Sequence, residues 1–250
     1  MKIGAQLYTL HDYCKTLGDF SESLKKVADI GYTTVQVSGT CAYEPEWLAD
    51  ELKKTGLSCV ITHSNAVDML NDPAGAVKCH RVFGCKYLGI GSAPFGIQRV
   101  DDFIRDYLPV SRTIRDCGGY MMYHNHQFEF AKYDEHTIYL DKIADSFPAD
   151  CLGITLDTYW VQVGGGSSEE WLRKLKNRVP CIHLKDMTIV DGQQRMAAVG
   201  DGNLNFDRII SAAGSAGTEY LLVEQDLCYG KSPFDELKRS YDFLRAMGLE

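Results

Sequence analysis

Strand and helix signals alternate eight times along this chain, with a glycine commonly placed between a helix and the next strand. Short β-rich apolar runs separated by helical periodicity make βαβ units, whose strands run parallel. The strand segments are Lys2 to Tyr8, Thr33 to Val37, Ser58 to His63, Tyr87 to Ile90, Tyr120 to His126, Leu152 to Asp157, Val179 to Leu184 and Tyr220 to Glu224. Helices are expected over about Asp19 to Ile30, Pro45 to Lys54, Pro73 to Phe83, Val100 to Cys117 and Thr137 to Ser146. A sixth starts after Gly164-Gly165-Gly166, and the last two cover Phe206 to Ala213 and Pro233 to Met247. In the first, Phe20, Leu24, Val27 and Ala28 fall on one face. Asp19 is placed to cap it, and Gly31 stands where a left-handed residue closes a helix. Ser167 and Glu170 have the spacing of a capping box. Eight such units in 250 residues, with no break in composition, predict one α/β domain over residues 1–250, a closed (β/α)8 TIM barrel. An open doubly wound sheet would carry a glycine-rich loop after its first strand, where this chain has Tyr8-Thr9-Leu10.

All strands of such a barrel open their carboxyl ends on one face, so residues at those ends converge whatever their separation in sequence. Glu129 follows the fifth strand, Asp157 ends the sixth, His183 lies in the seventh and Glu224 ends the eighth. Three carboxylates and a neutral imidazole carry a formal charge of about −3, which a divalent cation compensates. Such donors suit Mn²⁺, Mg²⁺, Co²⁺ or Zn²⁺ rather than a thiolate-rich zinc site. The metal candidates are therefore Glu129, Asp157, His183 and Glu224.

The densest cluster is Tyr123 to Phe130, YHNHQFEF. His124 and His126 are two apart and share a strand face, with Asn125 on the other, so either histidine could serve as base or ligand. His63 ends the third strand by the same logic. Lys185 can hold a carbonyl, hydroxyl or phosphate oxygen, and Asp186 can orient a neighbouring histidine. Tyr159 and Trp160 follow Asp157 and could stack on a sugar ring. The catalytic candidates are Glu224, His126, Glu129 and Lys185, and the substrate-binding candidates are His63, His124, Trp160 and Asp186. Gly164-Gly165-Gly166 reads as a flexible loop. Arg195 and the Gly200 to Phe206 segment lie in a long loop after the seventh strand that could cover the site. There is no Gly-x-Ser-x-Gly elbow and no His-Glu-x-x-His helix, so serine acylation and zinc proteolysis have no support.

The net charge of −8 argues against a nucleic-acid partner, because phosphate binding rests on clustered Lys and Arg. Nine cysteines, an odd number without any Cys-x-x-Cys pair, suit a reducing compartment better than a disulfide framework. MKIGAQLYTL lacks the apolar core of a signal peptide, and no run reaches the roughly 18 apolar residues of a membrane span. A cytoplasmic protein without a membrane partner is expected.

The chain resembles the sugar phosphate isomerase/epimerase family, the xylose-isomerase-like barrels that also include tagatose 3-epimerases, hydroxypyruvate isomerases, inosose dehydratases and endonuclease IV. The likeness runs through MKIGAQLYTL, ADIGYTTVQVS, YHNHQFEF, GITLDTYW, HLKDM followed by GDGNLNF, and LLVEQD. It implies a divalent metal held by a glutamate after strand five, an aspartate after strand six, a histidine after strand seven and a glutamate after strand eight. Asp157, His183 and Glu224 match. The first position departs: the epimerases carry their glutamate within strand five, where this chain has His124, so either Glu129 loops back or His124 replaces the carboxylate. Trp160 stands where epimerases commonly carry a substrate-binding histidine. The HNH arrangement looks more like dehydratase and keto-sugar lyase relatives. The implied activity is a metal-dependent isomerase or epimerase acting on a small carbohydrate by proton abstraction next to a polarised carbonyl, through an enediolate. Glu224 or, by preference, His126 is the candidate base. The alternative is a dehydratase or lyase acting on an inosose or 3-keto-sugar by the same first step, and a more distant one is a non-catalytic sugar-binding barrel. Barrels of this kind often pair, which makes a homodimer an expectation.

Overall fold

Alternation with period two divides every barrel strand into an outward and an inward set of side chains. In the computed structural model, which describes residues 1–250, eight parallel strands close into a ring. They are β1 (Lys2–Gln6), β2 (Thr34–Val37), β3 (Ser58–His63), β4 (Tyr87–Ile90), β5 (Tyr120–His124), β6 (Leu152–Asp157), β7 (Cys181–Leu184) and β10 (Tyr220–Val223). Between the last two lies an antiparallel hairpin of β8 (Asp186–Val190) and β9 (Gln193–Ala197). Neighbours in the ring follow chain order, and pairing of Lys2 with Tyr220 through Ala5 with Val223 closes it. The expected closed barrel is the observed fold.

The flanking helices are α1 (Leu17–Ile30), α2 (Pro45–Thr55), α3 (Ala66–Asn71), α4 (Pro73–Val82), α5 (Val100–Asp116), α6 (Tyr139–Ser146), α7 (Thr158–Val163), α8 (Ser168–Lys174), α9 (Phe206–Ala216) and α10 (Pro233–Ala246). Outward strand residues such as Ile3, Val35, Leu88, Met121, Ile154, Ile182 and Leu221 join helix residues such as Phe20, Leu24, Phe103 and Leu237 in one buried core. Full burial of each such side chain contributes about 1.5–3 kcal/mol. The inward set makes a second, smaller layer: Ile61, Tyr87, Met122, Cys181 and Leu222 fill the barrel interior. Two residues further along three of these strands, on the same inward face, stand His124, His183 and Glu224. The apolar layer is thus the floor on which a polar layer rests. At Gly153, inward on β6, a Cβ would come within 2.6 Å of Met122 Sδ and 3.0 Å of the Arg178 carbonyl, so this floor requires glycine there.

Element ends differ from the sequence reading for local reasons. Thr16, not Asp19, caps α1, its hydroxyl accepting from the Asp19 N–H at 3.1 Å. β1 stops at Gln6, whose side-chain carbonyl accepts from the Tyr8 N–H and starts a 3₁₀ turn over Leu7–Tyr13. β5 stops at His124, and Gln127–Phe130 forms another 3₁₀ turn. The stretch after β7 is a hairpin rather than a plain loop. Its turn residues Asp191 and Gly192 both have positive φ, as the tight two-residue turn of a twisted hairpin requires.

Candidate metal centre and active site

Four side chains bring one donor atom each to a common point at the carboxyl end of the barrel. His124, Asp157, His183 and Glu224 are all buried, and their donor atoms lie within 4.8 Å of one another. Each is aimed by a second contact. His124 donates from Nδ1 to the Gly91 carbonyl at 3.0 Å, which aims Nε2 at the cluster, 3.3 Å from Asp157 Oδ2. His183 donates from Nε2 to Gln36 Oε1 at 2.6 Å, which turns Nδ1 inward. Asp157 is both the end of β6 and the N-cap of α7; Oδ1 accepts from the Trp160 N–H at 3.0 Å, so Oδ2 points at the cluster. Glu224 Oε1 accepts from Gln6 Nε2 at 2.7 Å, leaving Oε2 inward.

This donor set fits a divalent cation on the structure's own terms. His183 Nδ1 and Glu224 Oε2 are 2.8 Å apart, yet both are buried and neither makes an aligned hydrogen bond. Both atoms belong to the group of four donors that lie within 4.8 Å of one another. Two imidazoles and two carboxylates, each with its outer atom tied down, form the kind of coordination shell that divalent transition metals accept. In the metal-free protein, burial opposes charge on His183, but Glu224 and Asp157 outweigh it and push the ring up to about 9. Burial would likewise raise Asp157, yet the Lys185 ammonium and the two imidazoles hold its carboxyl well below the usual range.

Lys185 is buried at the centre of this charge, with Nζ 3.1 Å from Asp157 Oδ2, 3.0 Å from Glu224 Oε2 and 2.9 Å from Asp226 Oδ1. The ring of Trp160 lies 5.3 Å from the same Nζ. Above the cluster opens a polar cavity of about 310 Å³ whose wall includes Tyr8, Ser38, His63, His126, Lys185 and Asp226. His126 packs edge-on to His124 and against Trp160; burial, reinforced by His124, pushes it down to about 3 and keeps the ring neutral. His63 is held through Nδ1 by the Ser38 hydroxyl at 3.0 Å, and burial keeps it neutral too.

Two expected site residues have other surroundings. Glu129 lies outside the donor group. Its Oε1 accepts from the Tyr123 hydroxyl at 2.7 Å and its Oε2 from the His126 N–H at 2.8 Å, so it pins the turn after β5. The reason is the strand's two-residue period: Tyr123 faces outward into the helix layer, and Glu129 joins it there. His124 stands in the donor group at the β5 position. Asp186 is not aimed at the cavity either. Its carboxylate accepts from the N–H groups of Met187, Gly200, Gly202 and Leu204, at 2.7 to 3.2 Å, and so ties the glycine-containing loop to the end of β7. Arg195 stands over the Tyr229 ring at 5.1 Å, joining the β8–β9 hairpin to the loop after β10.

The model of the xylose isomerase-like TIM barrel family matches residues 24–247. The chain belongs to that family. This xylose isomerase-like barrel is similar to a sugar phosphate isomerase/epimerase from Parabacteroides distasonis, with 21% identity over 98% of this chain and 93% of that one and a TM-score of 0.82. An L-ribulose 3-epimerase shares 14% identity over 100% and 95% of the two chains, with a TM-score of 0.72. A probable 3-DHS dehydratase from Bacillus anthracis shares 13% over 98% and 99%, with a TM-score of 0.71. At these identities the likeness is one of fold. A search of the curated proteins finds no match. No helix of the barrel is long and apolar enough to cross a membrane.

Sequence reasoning passed over Gln6, Gln36 and Asp226. Each carried a signal. Gln6 and Gln36 are the polar interruptions of the apolar strands KIGAQ and TVQV, and Asp226 is two residues past Glu224, hence on the same side of an extended chain.

Proposed function

We propose that this protein is a metal-dependent isomerase or epimerase of a sugar or keto-sugar, acting by proton abstraction next to a carbonyl. The observation that carries the reading is the convergence of His124, Asp157, His183 and Glu224 beneath a polar cavity walled by neutral histidines. A divalent ion held by those four residues would supply Lewis acidity to a carbonyl and a neighbouring hydroxyl. The chain's own groups do the rest. His126, kept uncharged and facing the cavity beside Trp160, is placed to take a proton from a C–H. His63, on another wall, is placed to hand a proton back or to hold a hydroxyl. Lys185 offers N–H donors to substrate oxygen, and Trp160 offers a ring face. Glu129 acts through the backbone of His126 and is a positioning residue. Gln6 and Gln36 fix the orientation of Glu224 and His183.

A dehydratase or lyase on an inosose or 3-keto-sugar is the second reading. An imidazole, His124, rather than a carboxylate on β5 favours it. Both readings share the first proton transfer, and loss of a β-oxygen substituent would follow it in the second. Solvent deuterium exchange into a panel of ketoses and inososes, with and without Mn²⁺, tests the shared step. Exchange that depends on Mn²⁺ and falls sharply in His126→Ala is the expected result. No exchange into any sugar or cyclitol would refute catalysis of this kind.

A further inference from the structure

We propose that Lys185 is a built-in stand-in for the divalent ion, and that Asp226 is the seat to which its ammonium withdraws when a cation takes Asp157 and Glu224. The inference rests on the metal-centre reading above. It starts from which oxygens the ammonium touches. Nζ stands 3.1 Å from Asp157 Oδ2 and 3.0 Å from Glu224 Oε2, the two carboxylate atoms that face the donor cluster. Their partner oxygens are already engaged, by the Trp160 N–H and by Gln6. An ammonium and a metal ion would therefore compete for the same two lone-pair sites.

The third carboxylate differs. Asp226 contacts Nζ through both oxygens, at 2.9 Å and 3.1 Å, lines the cavity, and is not part of the donor group. It gives the ammonium a place that costs the metal nothing. The lysine stem is flexible and its charge is compact, so a short swing of the head gives up Asp157 and Glu224 while it keeps the Asp226 contact. The Trp160 face, 5.3 Å away, adds a ring surface that favours the charge. The arrangement also accounts for how buried carboxylates stay compensated before metal arrives. Lys185 is the one ammonium within 3.1 Å of both Asp157 and Glu224, and unpaired buried charge is strongly destabilising.

The test uses Mn²⁺ alone, titrated calorimetrically and by the signal of the free ion, with thermal unfolding of metal-free and loaded protein. Lys185→Met is expected to lower the Mn²⁺ Kd by about tenfold or more, because the competing cation is gone. It should lower the melting temperature of the metal-free protein and enlarge the stabilisation by Mn²⁺. Asp226→Asn should weaken Mn²⁺ binding severalfold in the wild-type background and change it less than about twofold in Lys185→Met. Lys185→Gln serves if the methionine variant does not fold. Unchanged or weaker Mn²⁺ binding in the lysine variants overturns the proposal. So does an Asp226→Asn effect that persists without Lys185, since Asp226 would then act on the ion by its own charge. If neither lysine variant folds, wild-type Mn²⁺ affinity in Asp226→Asn overturns it as well. Absence of Mn²⁺ binding in wild type and lysine variants alike overturns the metal centre itself, and the exchange proposal with it.

Discussion

Gln36→Leu is the sharpest single test of how the cluster is aimed. Gln36 Oε1 receives the Nε2–H of His183 at 2.6 Å from a residue 147 positions away in the chain. Leucine keeps the bulk and removes the acceptor. With a metal on Nδ1, the ring must carry its proton on Nε2, and that N–H would then face hydrocarbon. A buried donor left without a partner costs about 1–3 kcal/mol. The metal-free ring, which carries a proton on both nitrogens at neutral pH, escapes part of this cost because it can release the Nε2 proton and keep the one on Nδ1, 2.8 Å from Glu224 Oε2. The penalty therefore falls mainly on the loaded state. Loss of such an outer contact typically weakens metal binding about 10–100-fold, which corresponds to about 1.4–2.7 kcal/mol. Calorimetric titration with Mn²⁺ reads the effect directly, and circular dichroism checks that the barrel is intact. A folded Gln36→Leu protein that binds Mn²⁺ within about twofold of wild type would refute the claim that Gln36 sets the tautomer of a metal-binding His183.

Three further outcomes follow from the same structure. Glu129→Gln should leave Mn²⁺ affinity within about twofold of wild type, because Glu129 is outside the donor group, whereas Asp157→Asn should lower it by about tenfold or more; equal losses in the two would return Glu129 to the ligand set. Asp186→Asn should destabilise the protein by about 3 kcal/mol, since an amide NH₂ would oppose two of four backbone donors, and should speed hydrogen exchange at Gly200, Gly202 and Leu204; unchanged urea midpoint and protection would refute that anchoring role. His80 is held below its ordinary range by burial, against the pull of the Ala76 carbonyl 2.7 Å from Nδ1. The unfolded chain gains a proton below about pH 6.5 that the native ring resists, so this residue favours unfolding as pH falls. Wild type should lose stability relative to His80→Gln between about pH 7 and pH 5 in urea titrations, and parallel pH slopes would refute the assignment.

Much of the architecture is legible in the chain because its signals are local. Short apolar strand runs, helix caps and a closing glycine each depend on neighbours a few residues away, and eight repeats of them leave little but a closed barrel. Their places at the carboxyl ends of parallel strands bring Asp157, His183 and Glu224 to one rim before any coordinate is known. What the residues alone left open is which of His124 and Glu129 joins them. Only the path of the chain after β5 decides it, turning Glu129 outward to Tyr123 and His126 while His124 stays in the lumen. Contacts between distant strands were equally out of reach, as with Gln6 on Glu224, 218 residues apart. Lys185 had a second role in sequence, as a donor to substrate oxygen, and tertiary packing places its ammonium among three carboxylates. Asp186 became the anchor of a loop because four N–H groups meet it in space. Local periodicity specifies which face a side chain takes; which atom it finally meets depends on chain closure, and closure is a property of the whole ring.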